Sequence, residues 1–241
     1  CHVFIPSLHT MFQKVIFCLL FLFIPLNRAA VNTVANSPFT SSEPVSELAA
    51  GEQLFEEMEL GGTVNFIAFR QAVAGYNRIK EKSKPILTLI DFSKPSTEKR
   101  FFVFDMEKKK LLYSSVVAHG RNSGENYATS FSNQYGSYKS SLGFYLTENT
   151  YQGGNGYSLI LNGLEKGIND KAKARSIVVH GAPYANPSVA ASGRLGRSLG
   201  CPALPTKLAR PIINTIKDGS VMFIYANNPH YLAQSNILHK N

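Results

Sequence analysis

One histidine and one cysteine, 21 positions apart, have side chains that can act together in catalysis. His180 ends an apolar, β-branched run and is followed by Gly181, and Cys201 stands between Gly200 and a proline in a polar segment. A thiol is an effective nucleophile only as its thiolate, and a neighbouring imidazole can take the thiol proton. The pair therefore predicts an enzyme with Cys201 as nucleophile and His180 as base.

The segment between these two residues carries groups suited to a substrate with amides and carboxylates. Gly200 frees the backbone just before the nucleophile, where main-chain N–H groups can form an oxyanion hole, and Ser198 is a candidate support. Arginine binds a carboxylate through two parallel hydrogen bonds, so Arg194 and Arg197 are candidate substrate-binding residues, with Arg197 favoured. Tyr184 is a further candidate.

Other interpretations of these residue types remain open. His119 ends a second apolar run and is a rival base or a residue of the substrate groove. A lone cysteine is often a small buried hydrophobe, although the glycine- and arginine-rich surroundings of Cys201 favour a reactive thiol. The polar tail that holds His230 and His239 is expected to be exposed. No Cys, His and Asp residues have metal-ligand spacing, so we expect no metal and no cofactor.

The first 35 residues have the pattern of a secretory signal peptide and the residues upstream of it. An apolar run over residues 15–26 follows Met11, the expected start, and precedes small residues. Cleavage is predicted after Ala35, with Ala30 as the alternative. The run is shorter than the roughly 20 residues that span a bilayer, but an uncleaved anchor remains an alternative. The expected location is the periplasm or cell envelope, without stable membrane insertion after cleavage.

Export changes which cysteines the mature chain retains. Cys1 and Cys18 would leave with the leader, so Cys201 would be the sole cysteine of the mature chain. Disulfides persist in the oxidising space outside the cytoplasm, and an unpaired thiol there is a candidate reactive group. This reasoning supports a catalytic role for Cys201 independently of its neighbours.

The net charge of +9 is unevenly distributed. Residues 43–59 contain six glutamates and no lysine or arginine, so the positive charge lies in the remainder of the chain. A basic domain can bind nucleic acid, an anionic membrane or an anionic polymer such as cell wall. The lysines are scattered, and the triplet at residues 108–110 lies where a hairpin turn is expected. We therefore expect no nucleic-acid partner.

The pattern of apolar residues predicts two short helices followed by many strands. Residues 36–84 read as a tether and a helical leader, with one helix near residues 51–60 and a second capped by Thr63 or Asn65. A domain over residues 85–241 is expected to be mainly β, with one late helix over residues 211–217 and two long loops at 120–142 and 181–205. The predicted strands are 86–90, 101–104, 111–118, 143–147, 157–162, 176–180 and 221–225.

At these motifs the chain resembles the L,D-transpeptidase catalytic domain family of the YkuD type. His180-Gly181 and Ser198-Leu199-Gly200-Cys201 are similar to the family's histidine-glycine and Ser/Thr-x-Gly-Cys elements. Residues 141–145 resemble the small-x-Gly-aromatic strand that precedes them. The likeness covers residues 60–225 and extends to the murein subfamily with Gly-Arg-Ser-x-Gly-Cys-Pro-Ala.

The resemblance implies a β-sandwich-like fold and acyl transfer on peptidoglycan peptide stems. Cys201 would attack a stem amide, His180 would act as base and then acid, and the carbonyl of Gly181 would orient the imidazole. Leu199 replaces a histidine common in the wider family, and residues 202–203 also depart from its pattern. The contacts of those family residues are therefore not carried over to this chain.

Two other functional classes remain open. One is another exported Cys–His enzyme, either an L,D-carboxypeptidase that hydrolyses the stem or a sortase-like protein in which Arg210 supplies the arginine. The other is a non-catalytic module that binds the envelope through its basic surface.

Overall fold

Two helices precede the sheet in the computed structural model, which describes residues 45–239. They are α1 (Val45–Glu57) and α2 (Phe66–Arg78). The predicted cap of the second helix is Asn65, whose side chain accepts hydrogen bonds from the N–H groups of Ile67 and Ala68. A capping oxygen satisfies donors that the first helical turn leaves unpaired. The predicted signal peptide lies outside the described residues.

Eight strands form one mixed sheet with the order β3-β2-β1-β8-β4-β5-β6-β7. The β1–β8 and β6–β7 pairs are parallel, and the other neighbouring pairs are antiparallel. The strands are β1 (Ile86–Asp91), β2 (Phe101–Asp105), β3 (Lys110–Ser115), β4 (Gly143–Gly153), β5 (Gly156–Gly163), β6 (Val178–Ala182), β7 (Ala203–Pro205) and β8 (Val221–Tyr225).

The two edges of this sheet meet. Beyond β3 the chain continues to Ala118, which exchanges two backbone hydrogen bonds with Ala203 of β7, at 2.8 and 3.2 Å. Gly120 forms a further bridge with Ser198. The predicted mainly β, sandwich-like fold is confirmed, and this closure places the segment after β3 beside the segment that carries Cys201.

Helix α2 packs closely on the sheet because it carries a glycine at the contact. A Cβ atom at Gly75 would lie 2.0 Å from the ring of Phe144, which stacks on Phe223 with 4.2 Å between ring centroids. Phe69 contacts the ring of Phe104 on the neighbouring part of the sheet. The helices and the strands therefore share one hydrophobic core. The domain boundary at residue 85 remains a prediction.

The late helix differs from its prediction at its start. Helix α4 covers Thr206–Ile216, so Pro211 lies inside the helix and not at its first turn. Proline lacks the N–H that would bond four residues back, to the carbonyl of Lys207, a residue on the exposed side. Residues 209, 212, 213 and 216 are buried at helical spacing. Burial of this apolar face therefore offsets the lost hydrogen bond.

Two short α-helices were not predicted. Helix α3 (Pro187–Ala190) lies in the loop before Cys201, and α5 (Pro229–Gln234) lies in the segment predicted to be a polar tail. Within α5 the side chain of Tyr231 is buried, and its hydroxyl donates to the carboxylate of Glu165 at 3.1 Å. This long-range contact anchors the tail to the segment that follows β5. Among residues 45–239 no helix is long and apolar enough to cross a membrane.

Candidate active site

Cys201 lies on a turn that is held by a serine and requires a glycine. The hydroxyl of Ser198 accepts from the N–H of Gly200 at 3.0 Å and donates to the carbonyl of Cys201 at 2.6 Å. Gly200 has φ +127°, and a Cβ there would lie 2.9 Å from the carbonyl oxygen of Lys139. Only glycine tolerates that conformation and that approach. Because its N–H is bonded to Ser198, Gly200 shapes the turn and does not present a free donor.

The Cys201 thiol is buried, with 8% of the residue exposed, and has two backbone partners. Its sulfur accepts from the N–H of Val178 at 3.4 Å and donates to the carbonyl of Ser176 at 3.6 Å. Burial raises the pKa of the thiol, while the Val178 N–H and the Arg175 guanidinium act in the opposite direction. The thiol is therefore protonated at neutral pH, and attack requires a base.

His180 lies on β6, beside the strand that follows Cys201. The backbone N–H of His180 donates to the carbonyl of Pro202 at 3.4 Å, and His180 is opposite Ala203 in the parallel register of β6 and β7. The ring Nδ1 lies 3.0 Å from the Gly181 carbonyl, which can only accept, so Nδ1 carries the proton. Burial lowers the pKa of His180. The ring is therefore neutral, with an unprotonated Nε2 available as a base.

His180 lies on the strand that pairs with the segment just after Cys201, but the two side chains do not share a hydrogen bond. Among residues 45–239, the Cys201 sulfur bonds only to main-chain groups, and the His180 ring bonds only to Gly181. Gly181 also packs closely on α4, since a Cβ there would lie 2.9 Å from the Cβ of Ala209. The position of the carbonyl that orients His180 is thus set by the helix behind it.

Arg175 lies beside the nucleophile, and the sequence reasoning missed it. One terminal nitrogen of its guanidinium is 3.5 Å from where a Cβ of Gly200 would be. The Arg175 charge and the Cys201 thiolate each shift the other's pKa towards the charged form. No local motif marks this arginine, because it lies 26 positions before Cys201 and its partners lie in the 132–141 loop.

The two arginines predicted to bind substrate are paired with one acid in the structure. Arg194 Nε lies 3.0 Å from Glu125 Oε2, and Arg197 Nη1 lies 2.7 Å from Glu125 Oε1. Arg197 also donates to the carbonyls of Arg121 and Gly124 at 3.0 and 3.1 Å. These contacts join the 121–125 segment to the loop that precedes Cys201.

Tyr184, the third predicted substrate residue, is half-buried next to the thiol. Its carbonyl accepts from the N–H of Gly196 at 2.8 Å, and a Cβ at Gly196 would lie 2.4 Å from its own Cβ. Burial, together with the nearby Cys201 charge, raises the pKa of Tyr184 to about 12. Its hydroxyl is therefore a neutral donor at physiological pH. The exposed neighbour on the other side of the turn is Leu199, 58% exposed, one of the departures from the family pattern.

His119 is placed in the interior and not in the substrate groove. The residue has no exposed surface, its Nδ1 accepts from Arg100 at 2.8 Å, and its Nε2 lies 3.3 Å from the carbonyl of Gly124. Its ring also packs edge-on against Phe92. Both ring nitrogens are therefore occupied, so the expectation of a rival base or substrate contact does not fit this residue. Only its backbone carbonyl, which accepts from Ser198 at 2.9 Å, reaches the site.

The buried His119 is expected to make the fold sensitive to acid. Burial and the adjacent Arg100 lower its pKa from 6.5 to about 4. Between these values the unfolded chain binds the proton and the folded chain does not, so stability falls as the pH decreases. We expect the free energy of unfolding to drop by up to about 3 kcal/mol over this window. Urea denaturation at pH 7 and pH 4.5 measures the drop.

A matched pair of variants tests whether His119 causes this acid sensitivity. His119→Gln removes the titrating group and should reduce the pH-dependent loss, whereas His230→Gln, on the exposed side of α5, should leave the loss unchanged. An equal loss in His119→Gln and the wild type would contradict the assignment. His180 contributes in the same direction, so the comparison uses the difference between variants.

Comparison with known proteins identifies the family of this chain. Residues 61–225 match the family model described as L,D-transpeptidase catalytic domain. The chain therefore belongs to the L,D-transpeptidase catalytic domain family, and the predicted family is confirmed, whereas the murein subfamily stays a prediction. No curated protein matches the chain.

Several solved structures of L,D-transpeptidases are similar to this chain at low identity. The enzyme from Mycobacterium smegmatis is 13% identical with TM-score 0.36, covering 59% of each chain. L,D-transpeptidase 3 from Mycobacterium tuberculosis is 14% identical with TM-score 0.37, covering 58% of this chain and 61% of that one. The protein from Stackebrandtia nassauensis is 13% identical with TM-score 0.36, covering 78% and 81%. The chain thus spans about three fifths of the mycobacterial structures.

Proposed function

We propose that this protein is an exported L,D-transpeptidase that acts on peptidoglycan peptide stems through a Cys201 thioester. Membership of the family supports the reaction class. The observation that carries the mechanism is the Nδ1 contact of His180 with the Gly181 carbonyl, because it leaves Nε2 as an acceptor next to the strand that follows Cys201.

The proposed reaction proceeds in two halves. The Cys201 thiol breaks its hydrogen bond to the Ser176 carbonyl and transfers its proton to His180 Nε2. The sulfur then attacks the carbonyl carbon of a stem amide. His180 then donates that proton to the departing amine nitrogen, which leaves a thioester on Cys201. In the second half the acceptor amine attacks the thioester, its proton passes to His180, and the Cys201 thiolate leaves and takes that proton.

The oxyanion of each tetrahedral intermediate needs donors that are not already bonded. Gly200 N–H is unavailable because it donates to Ser198, so the Cys201 N–H and the neutral Tyr184 hydroxyl are the proposed donors. Ser198 contributes indirectly, since it fixes the turn from which the Cys201 N–H points. A preorganised donor of this kind contributes roughly 3–4 kcal/mol to the transition state.

The acceptor distinguishes this proposal from hydrolysis. A stem amine gives a cross-link, a protein lysine gives an attached protein, and water gives the L,D-carboxypeptidase outcome. Incubation with purified peptide stems and mass spectrometry of the products tests the proposal. A dimeric or exchanged stem supports transfer, and a shortened stem alone shows a hydrolase. No product together with retained binding to cell wall would indicate the non-catalytic module.

A sortase-like mechanism has less support from the geometry. It needs an arginine beside the thiol, and the sequence candidate was Arg210. In the structure Arg210 is exposed on α4, with its guanidinium 4.3 Å from the ring centroid of Tyr157. The arginine beside Cys201 is Arg175, which precedes both His180 and Cys201, whereas the sortase-like order expects an arginine after the cysteine. Export to the periplasm or cell envelope is part of the proposal, and N-terminal sequencing of protein recovered outside the cytoplasm tests it.

The proposed role of Arg197 in binding a stem carboxylate predicts that substitutions of Arg197 and of its partner Glu125 change KM in opposite directions. Arg197→Gln should raise KM about ten- to a hundredfold, since one charge-assisted contact contributes about 1.5–3 kcal/mol. Glu125→Gln frees Arg194 and Arg197 from their competitor and should lower KM. Steady-state kinetics on a stem with a free carboxylate measures both. If neither variant changes KM, Glu125 and the arginines serve only to join the two loops.

A further inference from the structure

One arginine beside the nucleophile turn holds the 132–141 loop together. Arg175 donates four hydrogen bonds to this loop. Two go to the carbonyls of Ser132 and Lys139, at 2.8 and 2.6 Å. Two go to the hydroxyls of Ser137 and Ser141, at 3.3 and 2.6 Å. Four hydrogen bonds to protein groups leave little capacity for a substrate carboxylate.

The same loop lies directly on the turn. Ser140 Oγ donates to the Gly200 carbonyl at 2.9 Å and accepts from the N–H of Gly120 at 3.1 Å. The carbonyl of Lys139, which Arg175 holds, is the atom that a Cβ at Gly200 would meet at 2.9 Å. A displacement of the loop would therefore move the residue that precedes Cys201.

The Arg175 charge has no carboxylate partner within residues 45–239, unlike that of Arg194 or Arg197. The titratable groups that act on the thiol or on Arg175 are Tyr184 after β6 and the buried Tyr145 on β4, and His180 lies on β6 beside the strand that follows Cys201. His180 and Tyr184 are both neutral at pH 7, since burial lowers the pKa of the first and raises that of the second. Arg175 is thus the cation that a thiolate at Cys201 would face.

We propose that Arg175 is a positioning residue that clamps the 132–141 loop to the nucleophile turn and supplies the positive charge that stabilises the Cys201 thiolate. The inference rests on the proposed role of Cys201 as nucleophile. The two contributions are separable, because lysine retains the charge but cannot reproduce the planar set of hydrogen bonds, whereas methionine lacks both.

Alkylation of Cys201 by iodoacetamide as a function of pH measures the thiolate directly. Arg175→Met should slow alkylation at pH 7 about three- to tenfold and move the midpoint of the profile to higher pH, since one unit of pKa is a tenfold change. Arg175→Lys should retain the wild-type rate within about twofold but lose turnover on peptide stems, because the loop is released. Thermal unfolding establishes that each variant is folded.

The matched control is Arg210→Gln, which removes an equal charge from the exposed face of α4 and should leave the alkylation profile unchanged. A wild-type profile in folded Arg175→Met would overturn the electrostatic part of the inference. Full turnover in Arg175→Lys would overturn the clamp. Alkylation does not require a peptide substrate, so an inactive wild-type protein would count against the proposed function and leave the charge effect testable.

Discussion

Cys201→Ala is expected to lose acyl transfer by roughly a thousandfold or more while the protein stays folded. Cys201 is the only cysteine among residues 45–239, and the proposed thioester forms on its sulfur. The substitution removes two weak hydrogen bonds to main-chain groups and one buried atom, so the fold should lose only about 1–2 kcal/mol. Mass spectrometry of intact protein and of stem products measures both the adduct and the turnover.

The control for Cys201→Ala is Cys201→Ser, which preserves size and polarity. A serine hydroxyl is far less acidic than a thiol, and His180 is the only base proposed next to it, so this variant should also be inactive. Unchanged thermal unfolding of both variants excludes a structural cause. Stem exchange by Cys201→Ala at the wild-type rate would contradict the proposed mechanism, because no other thiol among residues 45–239 can replace that of Cys201.

His180→Ala is expected to lower turnover about a hundred- to ten-thousandfold and to slow alkylation of Cys201 near pH 7. The thiol is buried and protonated, so removal of the neutral imidazole removes its proton acceptor. The matched control is His230→Ala on the exposed side of α5, which should behave as wild type. Rates of iodoacetamide modification and of stem exchange give the two readouts.

The pH dependence of the wild type provides a second test of His180. Because burial lowers its pKa below the ordinary 6.5, the base remains neutral and active at mildly acidic pH. The acid limb of the rate profile should therefore lie below pH 6.5 and disappear in His180→Ala. If a folded His119 variant is alkylated more slowly than the wild type and His180→Ala is alkylated at the wild-type rate, the base has been assigned wrongly.

The sequence by itself determined the features that depend on neighbouring residues. The spacing of apolar residues locates seven of the eight strands but not the short β7. The preference for helix N-termini leaves Thr63 and Asn65 as candidate caps of α2, and the structure selects Asn65. The Ser198–Cys201 turn is encoded locally as well, since its hydroxyl and its glycine act within three positions. The role of Gly181 in orienting His180 came instead from the resemblance to the family, and the contact spans a single position.

Only the tertiary structure decided which distant side chains meet. Arg175 reaches a loop 34–43 positions earlier, and Glu125 engages Arg197 from 72 positions away. Helix α4 starts before Pro211 because its apolar face is buried against the rest of the fold. The imidazole of His119 faces the interior because Arg100 and Phe92 meet it there. Periodicity encodes whether a side chain faces inward, whereas strand register and the closure at Ala118 decide what it meets.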